Sequence, residues 1–100
     1  MAVVRVRHTV KDYAMWKRAF DSDPLDRVGS GVRRYRIMRS ADDELDLTID
    51  LMFKEPEQAE DMARRLRDLW RRPEVAGMLG GPTAEVLLHM EEAPLGDAEY

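Results

Sequence analysis

From Val3 to Val10 the chain alternates, with Val4, Val6, His8 and Val10 on one side and Arg5, Arg7 and Thr9 on the other. This is the two-residue period of a strand with one apolar and one polar face. At Asp12 the period changes: Tyr13, Trp16 and Phe20 form one stripe on a helix over about Tyr13 to Ser22. Asp12 is placed to cap that helix, because its carboxylate can accept an orphan amide of the first turn. A strand running straight into a helix with an aromatic stripe predicts that the stripe covers the strand's apolar face.

Asp21 to Gly31, with one proline, two glycines and several acids, reads as a loop. Val32–Ser40 and Leu45–Lys54 read as an antiparallel hairpin joined by Ala41-Asp42-Asp43-Glu44. In the second strand Leu45, Leu47, Ile49, Leu51 and Phe53 oppose Asp46, Thr48, Asp50, Met52 and Lys54. Pro56 suits the first turn of a second helix, whose apolar stripe is Ala59, Met62, Ala63, Leu66, Leu69 and Trp70. Pro73 ends it. Glu74–Leu79 reads as one further turn or two, stopped by Gly80-Gly81-Pro82. The last strand is predicted over Thr83–Glu91, with Ala84, Val86, Leu88 and Met90 on one face. The order βαββαβ predicts an α+β ferredoxin-like sandwich: a four-stranded antiparallel sheet, in the order four, one, three, two, with both helices on one face. Residues 1–92 form the single domain, and the acidic segment 93–100 has little to anchor it and is predicted to be mobile.

Composition narrows the function classes. A hydrophobic share of 44% argues against wholesale disorder, and the absence of cysteine excludes disulfides and thiolate zinc sites. No signal peptide is visible, and the apolar runs fall far short of the roughly 20 residues of a membrane span, so a soluble, cytoplasmic protein is expected. A net charge of −4 argues against nucleic acid as a partner, although arginines crowd residues 33–39 and 64–72.

By strand parity the sheet face away from the helices carries Glu85, Leu87, His89 and Glu91, then Arg5, Arg7 and Thr9, then Asp46, Thr48, Asp50 and Met52, then Arg34, Arg36 and Met38. Charges of opposite sign on neighbouring strands form a self-neutralised lattice; the sharper alternative is that Arg5, Arg7 and Arg36 receive an anionic ligand. RNA-recognition modules share this strand–helix order but stack bases on aromatics of the central strands, and none stands there here.

His8-Thr9-Val10, Asp12-Tyr13, Trp16-Lys17 and Phe20-Asp21, together with the Arg39…Asp42-Asp43 hairpin and Gly80-Gly81-Pro82, resemble a family of small bacterial proteins with the dimeric α/β-barrel fold. That family is related to the antibiotic-biosynthesis monooxygenases and includes cyclase-like members. The resemblance spans residues 3–92. It implies a homodimer joined through the uncovered sheet faces, no cofactor, and a small aromatic or polyketide-like ligand. Haem-degrading relatives use an Asn on the first strand with a Trp and a His, and this chain has no Asn. Cyclase relatives use a first-strand His, which His8 matches in strand and face.

The candidate catalytic group is His8, an acid–base whose imidazole titrates near neutral pH, with Tyr13 and Tyr35 as the nearest candidate partners. Trp16, Phe20, Tyr35 and Trp70 are the candidate walls of a helix–sheet cleft, and Arg7 the candidate orienter of an anionic substituent. Met15, Met52, Met62 and Met78 would add adaptable packing. The competing reading makes His8 and the rings ordinary core, and the chain a non-catalytic ligand-sensing or dimerisation module. Two histidines with scattered acids match no familiar metal-ligand spacing, and no phosphate loop or nucleophile elbow is present.

Overall fold

The computed structural model describes residues 1–97. The elements run β1 (Ala2–Val10), α1 (Tyr13–Asp21), β2 (Val32–Arg39), β3 (Asp46–Phe53), α2 (Pro56–Trp70), α3 (Pro73–Ala76) and β4 (Leu79–Leu88). The four strands form one antiparallel sheet in the order β2-β3-β1-β4, the ferredoxin-like arrangement expected. The predicted mobile tail lies in part outside the described residues, at 98–100. Among the described residues no helix is long and apolar enough to cross a membrane.

Local chemistry accounts for most boundaries. Asp12 caps α1 by accepting the Met15 amide at 3.1 Å, and α2 opens on Pro56 with a capping box between Glu55 and Gln58. The core is a single cluster of Ala2, Val4, Val6 and Val10 from β1, Leu47, Ile49, Leu51 and Phe53 from β3, Ala59, Met62 and Ala63 from α2, and Trp16 from α1. Ala59 and Ala63 are small and fully buried, which lets α2 lie close on β1, β3 and β4. Helix α1 makes no comparably close backbone approach. It rests on the sheet through Trp16 instead, and that stand-off leaves room beneath it.

The last strand departs from expectation. It begins at Leu79 rather than Thr83 and ends at Leu88 rather than Glu91. Gly80-Gly81-Pro82 therefore does not stop the chain before the strand but forms part of it. Gly80 pairs with Thr9, and a Cβ there would collide with Thr9 Oγ1. Gly81 takes φ +56 where the β1–β4 register shifts between Arg7 and Thr9, the signature of a bulge that a side chain would resist. Pro82 is tolerated because β4 is an edge strand. As a result His89, Glu91 and Met90 lie beyond the sheet; the His89 amide donates to the Met1 carbonyl at 3.0 Å, and Met90 is 92% exposed. Thr83 takes a place on the uncovered face instead, opposite Arg7. Gly80→Ala is expected to lower stability by about 1 kcal/mol, the cost of turning Thr9 away from its rotamer. Chemical denaturation of Gly80→Ala in a Thr9→Ala background checks this: the penalty should vanish, and its persistence would place the cause in the backbone instead.

Candidate functional site

The space under α1 is a cavity of about 330 Å³, within the ordinary range of small-molecule sites. Its floor is Val6 and His8 of β1 with Ile49 and Leu51 of β3. Trp16, Ala19 and Phe20 of α1 form one wall, and Met62, Leu66, Leu69 and Trp70 of α2 the other. The loop after α1 contributes Pro24, Leu25 and Arg27, and the α2–α3 corner contributes Arg72, Val75 and Met78. The lining is mostly apolar, with a few polar groups.

His8 is the polar group on the floor. It is 5% exposed, and its Nδ1 is buried without a hydrogen-bond partner. Its ring lies 5.7 Å from that of Trp16, tilted by 58°. Burial holds the imidazole below the usual histidine range, against lesser opposing effects of the Thr9 backbone and the Asp46 charge. The group is therefore neutral near pH 7, its Nδ1 is buried and unmatched, and the residue lines a mostly apolar cavity. An unpaired buried polar atom ordinarily costs about 1–3 kcal/mol, so its retention calls for an explanation.

His8, Trp16, Phe20 and Trp70 meet at this cavity. Tyr13 and Tyr35 do not line it. Tyr13 packs against the Trp16 ring at 5.7 Å, and Tyr35 edge-on against Phe20 at 5.1 Å. Both tyrosines are more than two-fifths exposed and neither satisfies His8 Nδ1. They extend a ring ladder, with Trp16 and Phe20 5.2 Å apart at its centre, that holds the α1 wall upright. Arg7 stands on the opposite face of the sheet, between Thr48 and Thr83, and cannot orient a ligand in this cavity. Met62 and Met78 line it; Met15 is largely exposed, and Met52 belongs to the other face.

Leu25, Arg27, Arg72 and Val75 are lining residues with no sequence signal of that role. Arg27 is anchored by its Nη1 donating to the Phe20 carbonyl at 2.6 Å and by its guanidinium lying 4.0 Å over the Phe20 ring. The loop carrying it holds Asp23 and Asp26 at positive φ, 57° and 49°, a conformation that aspartate tolerates better than most residues.

The uncovered face has its own centre. Asp50 is 1% exposed although no helix covers it. Arg5 donates Nε and Nη2 to its two oxygens at 2.9 Å each, and Arg36 lies 3.9 Å away. Among the described residues no group of three His, Cys, Asp or Glu side chains is arranged to hold a metal ion.

No protein-family profile matches the sequence, and a search of curated proteins finds no match. Solved structures do match. A protein of Nitrosomonas europaea provisionally described as an antibiotic biosynthesis monooxygenase superposes with a TM-score of 0.65 at 21% identity, over 91% of this chain and 100% of that one. Rv0793 from Mycobacterium tuberculosis gives 0.63 at 17% identity, over 94% and 100%. A Deinococcus radiodurans protein, provisionally described in the same terms as the first, gives 0.56 at 9% identity, over 96% and 99%. The chain shares the fold of these proteins along almost its whole length.

Proposed function

We propose that this protein is a homodimeric α/β-barrel enzyme of the cofactor-independent monooxygenase or cyclase type. It binds a small, mostly apolar organic molecule under α1 and uses His8 as the acid–base group. The observation that carries the reading is that His8, whose buried Nδ1 has no hydrogen-bond partner, stands on the floor of an apolar cavity. A neutral imidazole with a free nitrogen can take a proton from a weakly acidic O–H or C–H of the ligand and return it later. In monooxygenase chemistry the resulting anion would itself reduce dioxygen; in cyclase chemistry it would attack a carbonyl of the same molecule. The provisional description of the Nitrosomonas and Deinococcus proteins as antibiotic biosynthesis monooxygenases supports the first by fold analogy alone.

The dimer reading draws on the other face. Arg5, Asp50, Arg36 and Glu85 alternate in sign along one row of the sheet, which a second copy can match across a two-fold axis. Sedimentation should give twice the 11.6 kDa of the chain; a single subunit at micromolar concentration would remove this part of the reading.

Both tryptophans of the chain line the cavity, so intrinsic fluorescence reports occupancy. We expect 2-naphthol to quench it saturably and to bind about fivefold tighter than naphthalene, because its hydroxyl meets His8. In His8→Phe the two should bind alike. A naphthol preference that survives His8→Phe would refute the assigned role; no quenching by either compound would refute the site.

A further inference from the structure

Resting on the cavity as a binding site, the charged groups of its lining narrow the ligand. Asp23, Arg27, Arg72 and Glu74 are those groups. Two of them are spent on each other: Arg27 Nε lies 3.4 Å from Asp23 Oδ1, which also accepts the Arg27 backbone amide at 3.0 Å. Arg27 Nη1 also donates to the Phe20 carbonyl, and the guanidinium lies over the Phe20 ring. Arg72 differs. Its backbone is pinned at the α2–α3 corner, its amide donating to the Leu69 carbonyl at 3.1 Å and its carbonyl accepting from Val75 and Ala76 at 2.9 Å each. Its side chain forms no ion pair among the described residues. Arg72, exposed at the α2–α3 corner and lining the cavity whose floor carries the neutral His8 imidazole, is the one cation of the lining without an acidic partner among the described residues.

We propose that Arg72 receives the carboxylate of the ligand, and that the ligand class is a monocarboxylic acid with an apolar body of about two rings. The size follows from the 330 Å³ of space, set against the roughly 150 Å³ that accommodates one benzene. The single charge follows from Glu74, which lines the same side in the first turn of α3 and repels a second negative charge. A planar carboxylate matches the guanidinium fork, whereas a phosphate dianion meets one cation and one carboxylate. Arg72 is thus a positioning and specificity residue that turns the reacting end of the ligand toward His8.

The test is calorimetry at pH 7.5 with 2-naphthoate, its neutral amide and 2-naphthyl phosphate. The wild type should bind the naphthoate about five- to tenfold tighter than the amide and tighter than the phosphate. Arg72→Gln should bring naphthoate and amide together while leaving amide affinity and melting temperature unchanged. Glu74→Gln should tighten naphthoate a few-fold. A naphthoate preference that survives Arg72→Gln, or a wild type that treats acid and amide alike, overturns the inference and leaves the cavity reading standing. If none of the three probes binds or changes tryptophan fluorescence, the cavity reading fails and this inference with it.

Discussion

Asp50→Ala is expected to lower the unfolding free energy by about 2–3 kcal/mol. Asp50 has the least exposed ionisable side chain for which an ion pair is seen, at 2%, and it holds Arg5 through two charge-assisted hydrogen bonds of 2.9 Å. Removing one member of a fully buried pair costs about 3–5 kcal/mol, because the other is stranded without solvent. Here the stranded groups are Arg5 and Arg36, whose side chains keep 41% and 47% of their exposure. Water can rehydrate them, which sets the estimate below that range. Asp50→Asn, which keeps the volume and one acceptor, should lose less. Urea unfolding of both variants checks the ranking; a loss below about 1 kcal/mol in Asp50→Ala would show that the triad contributes little to the fold. If the face meets a second copy, Asp50→Ala should also shift the protein toward monomer, since two arginines would then oppose the partner unbalanced.

His8→Phe is expected to be more stable than the wild type, by about 1–2 kcal/mol at pH 7. The substitution removes a buried nitrogen that has no partner, and the adjacent cavity gives the larger ring room. The gain should grow on acidification. Burial lowers the imidazole pKa in the folded state from its ordinary 6.5. Below about pH 6.5 the unfolded chain therefore takes up a proton that the native state still refuses, and wild-type stability falls until the native imidazole itself protonates. His8→Phe has no such proton to take up on unfolding, so the difference between the two stability–pH curves isolates this one group. Urea titrations between pH 7.5 and 5 measure it. A variant less stable than the wild type, or a difference independent of pH, would mean that Nδ1 is satisfied in solution and that His8 serves packing. The expected sign is that of a residue kept for its chemistry at the expense of stability.

Much of the fold is legible from local pattern. The alternation through β1 and β3 assigns every residue of those strands to its face, and the register confirms it: Arg5 opposes Asp50, and Val6 opposes Ile49. Asp12 as a cap and Pro56 as a helix opener are equally local signals. The start of β4 was not legible, because Gly-Gly-Pro reads as a stop wherever a strand cannot tolerate a bulge. Only the Thr9 side chain across the ladder shows why Gly80 is needed inside one. Of the candidate site, His8, Trp16, Phe20 and Trp70 were visible as apolar-face or stripe residues and do meet. Arg7, expected in the cleft, stands on the far face that its strand parity already indicates. Arg27 and Arg72, the arginines that line the cavity, sit in a loop and at a helix corner, where no periodicity marks orientation.

By itself the sequence determined which side of each central strand is greasy and which is charged, because side-chain alternation along a strand is a property of the backbone and needs no neighbour. Whether the space between helix and sheet is filled or open was decided only in three dimensions. That outcome depends on how far α1 stands from the sheet, and the distance is set jointly by the Trp16 ring, by Phe20 and Tyr35 bracing it, and by two small alanines that draw α2 inward elsewhere. These contacts join residues far apart in the chain, so the void beside His8 is a tertiary fact.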